Sequence, residues 1–145
     1  MSSLRQFLIS KSYSVIKLEY TLTNHFEIDA SINDISGKFI VDTGASNSCL
    51  GFDGIEKFKL LAEDSEVKAA GAGAIDMLTQ VSKKNSITIG KWSRQNIPLV
   101  LFDLTHVNNA LLQHSAEPVD GIIGADILKK GKAIIDYERK KLYLK

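Results

Sequence analysis

A mainly β, single-domain protein with one or two short helices is the fold the chain predicts, and three observations carry it. Apolar and polar residues alternate with the two-residue period of half-buried strands. Short apolar runs end at Gly, Asn and Asp, the residues that turn a chain. The length of 145 residues and a 44% hydrophobic content suit one ordinary core. Residues 1–145 are therefore read as one domain, with those before about Tyr13 loosely held.

Each element follows from its own pattern. Ile16, Leu18, Tyr20 and Leu22 alternate with Lys17, Glu19, Thr21 and Thr23, and Phe26, Ile28, Ala30 and Ile32 repeat the pattern after Asn24-His25, so the two runs read as a hairpin. Asn33 to Gly37 is a turn feeding the buried strand Phe39 to Val41. Asp53 is placed to cap a short helix with Ile55, Phe58 and Leu61 along one side. Ile87 and Ile89 end at Gly90-Lys91, and Trp92 gives partial cover to the core. Ile97 to Phe102 form another strand, with Pro98 tolerated near an edge or a strand start. A helix using Val107, Ala110 and Leu111 follows. Ala133 to Tyr137 and Leu142 to Leu144 close the chain as a hairpin.

Composition excludes several functional classes. A formal net charge of +1, with no basic block beyond Lys129-Lys130 and Arg139-Lys140-Lys141, gives no electrostatic basis for binding nucleic acid or an acidic membrane surface. The apolar patch near the N-terminus is too brief for a signal peptide or a membrane span. Cys49 is the lone cysteine, and with no leader readable it points to a reducing cytoplasm. It could serve as a nucleophile, but no histidine stands near it in sequence, and core packing is the favoured role. His25, His106 and His114 show no metal-ligand spacing, so neither metal nor cofactor is expected.

Chemistry concentrates in Phe39-Ile40-Val41-Asp42-Thr43-Gly44-Ala45-Ser46, where an apolar strand runs straight into a carboxylate, a hydroxyl and a glycine. Gly44 permits a tight turn or a close ligand approach, and Asp42 is placed at a strand end facing a cleft. Thr43 is expected to turn its hydroxyl inward and brace the loop. Taken alone, the tripeptide is also what an ordinary strand-ending turn looks like. A second segment supplies context: Val119-Asp120-Gly121-Ile122-Ile123-Gly124-Ala125-Asp126-Ile127-Leu128 squeezes two apolar residues between glycines before a short helical pattern.

Together the two segments resemble those of the retropepsin-like aspartic proteases, nearest in character to the bacterial and cellular single-lobe members. The resemblance implies a single-lobe acid-protease fold with a flap hairpin, and an aspartic endopeptidase activity on polypeptides. It also implies that Ile122, Ile123 and Gly124 cross behind the Asp42 loop in support. Asp42 would be the catalytic acid, Thr43 and Gly44 its loop support, and Gly44, Ala45 and Ser46 would line the substrate cleft. Ala125 stands where retroviral members often carry an arginine that ties subunits together, and Ser46 where they commonly have a second aspartate. Asp120 and Asp126 flank the second motif outside any Asp-Thr-Gly and are read as structural hydrogen-bonding groups.

Between Ala69 and Ala74 the chain reads Ala-Ala-Gly-Ala-Gly-Ala and continues into an alternation of Ile75, Met77, Thr79 and Val81. This resembles a flap whose tip, at Gly71 and Gly73, opens for a polypeptide and closes over it. A flexible hairpin without a role fits the same residues. A phosphate cradle fits less well, because a third glycine and a strand-to-helix setting are missing.

The family's chemistry needs two carboxylates within about 3 Å sharing one proton, which is the standard aspartic-protease pattern. This chain supplies Asp42 alone, so a symmetric homodimer is implied, each copy giving one Asp42. A retropepsin-like dimerisation or peptide-binding module without turnover is the other function compatible with the motifs.

Overall fold

The computed structural model describes residues 2–64, 69–71, 74–77 and 79–145. Ser3 opens the first helix, α1 (Leu4–Ser10), through a capping box: its hydroxyl accepts from the Gln6 N–H and its own N–H donates to Gln6 Oε1. Only Leu8 of this helix is buried. The segment expected to be loosely held is thus helical, pinned by one side chain.

The alternation expected from Ile16 to Leu22 holds through Glu19 and fails at Tyr20 and Leu22, both exposed, and the strand itself is interrupted at Leu18. Leu18, 1% exposed, drops into the core between β1 (Ser14–Lys17) and β2 (Glu19–Tyr20), which belong to different sheets. Leu22 lies outside any strand and is 72% exposed. The turn expected over Asn33 to Gly37 is only two residues long. Asn33 and Asp34 both have positive φ, 52° and 67°, as a type I′ hairpin turn requires. Strand β3 (Phe26–Ile32) therefore pairs directly with β4 (Ile35–Val41), Ile32 facing Ile35 and Phe26 facing Val41.

After β4 and the Asp42 loop come β5 (Cys49–Gly51) and α2 (Gly54–Lys57). Asp53 precedes α2 without a side-chain capping bond; Ile55 is half-buried against the core as expected, and Phe58 and Leu60 pack fully inward after it. Leu61, expected on that face, is 86% exposed. Next are β6 (Glu63–Asp64) and the two-stranded pair β7 (Ala69–Gly71) and β8 (Ala74–Met77). The long hairpin β9 (Gln80–Ile89) and β10 (Trp92–Phe102) turns at Gly90, whose φ of 58° suits glycine. Trp92, expected as partial cover, is fully in the core. Pro98 sits inside β10 rather than at its start, where the pairing with β9 shifts register between Ile97 and Leu99. A bulge there removes the need for the N–H that proline lacks.

Helix α3 (Thr105–Gln113) starts beside Asp103, whose carboxylate accepts from both the N–H and the hydroxyl of Thr105. Its inward residues are Leu111, buried, and Val107, half-buried, whereas Ala110 faces out. Then follow β11 (Gly121–Ile123), α4 (Ala125–Lys130), β12 (Ile134–Asp136) and β13 (Lys141–Leu144), the last two forming the expected closing hairpin.

Eight strands make the main sheet in the order β2-β3-β4-β11-β5-β10-β9-β6, and β3 also pairs with β9, curling the sheet back on itself. A second sheet, β1-β13-β12, packs its Leu142 and Leu144 into the same core as Phe39, Leu50, Ile87 and Ile123. The apolar run of β4 is covered on both faces. Phe39 and Val41 meet that core, while Ile40 packs under α3 with Leu111, Ala116 and Val119. This explains a continuous apolar stretch in place of alternation. No helix among the described residues is long and apolar enough to cross a membrane.

Candidate active site

β11 is the strand that builds the site. It runs parallel to β4, with Gly121 beside Phe39, Ile122 beside Ile40 and Ile123 beside Val41, and antiparallel to β5 on its other edge. It thus fills the gap between the strand that enters the Asp42 loop and the strand that leaves it. The Asp42 N–H extends the pairing by donating to the Ile123 carbonyl at 3.0 Å.

Two glycines of β11 and its edge are fixed by space. A Cβ on Gly121 would lie 2.1 Å from the Cys49 carbonyl oxygen, and one on Gly124 2.6 Å from that of Ala45. The close approach at Gly124 lets the Ala125 N–H donate to the Ala45 carbonyl at 2.7 Å. This bond ties the start of α4 to the Asp42 loop.

Within the loop, the Gly44 N–H donates to Asp42 Oδ1 at 2.9 Å, and the Ala45 N–H to the Asp42 carbonyl at 3.2 Å. Asp42, Thr43, Gly44 and Ser46 are exposed, and Ala45 is half-buried beneath them. The Thr43 hydroxyl makes no hydrogen bond among the described residues, so the bracing expected of it comes from these backbone groups and from Ser48. Ser48 is fully buried. Its hydroxyl accepts from the Gly124 N–H at 2.8 Å and donates to Asp126 Oδ1 at 2.7 Å, and its N–H donates to the same oxygen at 2.9 Å.

Asp126 thereby serves as an acceptor that clasps the end of the loop. Asp120 is also engaged away from Asp42: Oδ2 accepts from the Lys38 N–H and Oδ1 pairs with Lys57 Nζ at 3.0 Å. Both acids hold the structural posts read for them. The Ser48 clasp was invisible in sequence because its two halves stand 78 residues apart. Its one trace is a hydroxyl shortly after Asp-Thr-Gly and an acid shortly after the second glycine.

Ile122 is half-buried and Ile123 and Gly124 are buried behind the loop. Gly71 ends β7, paired with Ala74 across the β7–β8 hairpin, while Gly73 lies outside the described residues. Cys49 is buried beneath Ile122, and burial pushes its thiol up to about 12, so it stays protonated and inert. His25 contacts Thr23 Oγ1 at 2.8 Å and His114 the Ala110 carbonyl at 3.0 Å. The described residues contain no cluster of three metal-ligating side chains.

An exposed carboxylate on a loop stiffened from below is placed for proton transfer. A family model described as aspartyl protease matches residues 28–127, more than half of the chain, and the protein belongs to that family. Its fold is that of the retropepsin-like members. The chain is similar to a retropepsin-like aspartic protease from Rickettsia conorii, at 22% identity over 91% of each chain with a TM-score of 0.56. It is also similar to the EIAV protease complexed with the inhibitor HBY-793, at 20% identity over 81% of this chain and 98% of the other, TM-score 0.58. A third similar structure is the retroviral protease-like domain of Ddi1 from Leishmania major, at 18% identity over 90% of each, TM-score 0.54. No curated protein sequence matches the chain.

Proposed function

We propose that this protein is an aspartic endopeptidase assembled as a homodimer, with one Asp42 from each copy forming the reacting pair. The observation that carries the reading is the exposed Asp42 carboxylate, held at the end of β4 by the Gly44 N–H, in a chain whose two other acids of the motif region are committed to Lys38, Lys57 and Ser48.

In this reading one Asp42 is ionised and takes a proton from a bound water, while its counterpart is protonated and donates to the scissile carbonyl. The water oxygen bonds to the carbonyl carbon, and collapse of the resulting gem-diol expels the amine as it takes up a proton. Gly44 offers backbone groups to the substrate, Ala45 and Ser46 line the cleft, and the β7–β8 hairpin with Gly71 and Gly73 covers it as a flap. Thr43 keeps the loop at the contact between copies, and Ile122, Ile123 and Gly124 support it from behind. The whole chain, residues 1–145, acts as one domain. A single cysteine kept buried suits a reducing compartment, and the cytoplasm is the proposed location.

The test is cleavage of casein and a peptide library by the wild type and by Asp42→Asn. The amide is isosteric but cannot share the proton, so activity is expected to fall by at least ~10³-fold with an unchanged circular dichroism spectrum. Cleavage at the wild-type rate by the purified variant refutes the mechanism. A wild type that binds peptides without cutting them leaves a peptide-binding module in its place.

A further inference from the structure

The formal net charge of +1 averages two unlike parts of the chain. Residues 1–18 and 129–145 carry ten Lys and Arg against two Asp and Glu, whereas residues 19–128 carry eight against fifteen. The fold brings the basic segments together. β1 and β12 flank β13 in the second sheet, with Lys17 opposite Lys141. The Tyr13 hydroxyl donates to the Lys132 carbonyl at 3.0 Å, and Lys145 Nζ stands 5.9 Å from the centroid of the Tyr13 ring. Arg94 joins them from β10, its Nη2 donating to the Lys145 carbonyl at 2.9 Å. Both acids of these segments are held by one arginine, Arg139, which reaches Asp136 at 3.5 Å and Glu138 at 3.4 Å. Lys11, Lys130, Lys132 and Lys145 are exposed and have no ion pair among the described residues.

Helix α1 adds apolar side chains to this basic surface. Leu8 alone holds the helix down, and Leu4, Phe7 and Ile9 stand 43%, 50% and 49% exposed. Leu4, Phe7 and Lys11 follow one another at three- and four-residue spacing along one side of the helix, and Lys11 Nζ lies 5.6 Å from the Phe7 ring centroid. Three large apolar side chains left in water on so short a helix mark a surface that meets a partner.

We infer that this face docks on an anionic lipid bilayer, with α1 lying in the interface, Leu4 and Phe7 entering between the headgroups and the lysines meeting lipid phosphates and carboxylates. Charge complementarity supplies the attraction, at about fivefold in partitioning for each basic side chain close to such a surface. The acidic remainder of the chain is repelled by the same surface, which turns the basic face toward it. A whole-chain charge near zero therefore does not describe this face. The apolar side chains decide between occupants: a bilayer takes up leucine, isoleucine and phenylalanine, whereas the phosphate backbone of a nucleic acid rewards the lysines alone. One short helix buries too little to anchor the protein by itself, so the association is peripheral and reversible. Docking makes no use of Asp42.

Co-sedimentation of the full chain with vesicles of about 1:3 phosphatidylserine to phosphatidylcholine, and of phosphatidylcholine alone, tests this. Binding to the mixed vesicles is expected, at least ~10-fold weaker on the neutral ones and at about 0.5 M salt than at about 0.1 M. Phe7→Ser is expected to weaken it about tenfold. The triple variant Lys11→Gln, Lys132→Asn, Lys145→Gln is expected to weaken it about 10²-fold. Asparagine accepts the φ of 47° at Lys132, and both variants should keep the native circular dichroism spectrum. If one of them loses it, the other and the salt series decide. Absent binding, equal binding to neutral vesicles, or variants retained like the wild type overturn the proposal. So does a wild type that ignores vesicles yet binds single-stranded RNA or polyglutamate, because the face then serves a nucleic acid or an acidic protein. A sedimentation coefficient altered in Phe7→Ser together with its loss of vesicle binding also overturns it, by making the face a contact between copies. Cleavage of a soluble peptide by the same samples keeps the two readings apart: intact cleavage without vesicle binding removes this face and leaves the Asp42 pair standing.

Discussion

Gly124→Ala is expected to disable the reaction while leaving a folded protein. Gly124 has φ −102° and ψ −170°, extended backbone that alanine adopts freely, so strain is not the reason for glycine here. Space is. The new Cβ would stand 2.6 Å from the Ala45 carbonyl oxygen, whereas ordinary contact starts at 3.4 Å, and the Asp42 loop has to retreat by about 0.8 Å. The Ala125 N–H to Ala45 carbonyl bond, 2.7 Å long, is stretched to the limit of a hydrogen bond by such a shift. Losing that bond and leaving its half-buried donor poorly paired costs roughly 2–3 kcal/mol. With an unfolding entropy near 2.1 cal/mol/K per residue, the melting temperature falls by about 7–10 °C. On the shared-carboxylate reading proposed above, the same displacement moves Asp42 against its counterpart, where a misplacement of about 1 Å is worth about 10²-fold in rate. Thermal melts and kcat on a peptide substrate check both numbers. A variant with wild-type kcat and a melt shifted by under ~2 °C would refute the claim that the crossing of β11 behind the loop sets the position of Asp42.

Ser48→Ala removes the hydroxyl that serves both the Gly124 N–H and Asp126 Oδ1. An expected loss of roughly 2–4 kcal/mol in urea unfolding, with partial recovery in Ser48→Thr, tests the clasp. A change below ~0.5 kcal/mol contradicts it. For Cys49, a thiol pushed up to about 12 leaves about one molecule in 10⁴ as thiolate at pH 8. Ellman's reagent is therefore expected to leave the native protein unlabelled and to react fully in guanidinium. Labelling of the native protein within minutes would show that Cys49 is reachable.

The chain's sequence alone determined the strand-rich class, the ending of an apolar strand at Asp42, and the presence of a second Gly-Ile-Ile-Gly segment, because each is written in local periodicity or a contiguous motif. Locally ambiguous features went differently in the structure. Leu18 is buried as the alternation requires, yet the strand breaks there, because the chain passes from one sheet to the other at that residue. Pro98 enters a long strand because a bulge absorbs it, and two positive-φ residues at Asn33 and Asp34 do the work of a longer turn. Only the tertiary structure decided which residues hold the Asp42 loop. Sidedness of β4, with Ile40 under α3 and Val41 on the main core, depends on elements some 70 to 100 residues away. So does the Ser48–Asp126 clasp, whose partners meet solely because β11 inserts between β4 and β5. A motif records which side chains the chemistry requires; the contacts that fix their positions are long-range, and they exist only once the sheet has closed.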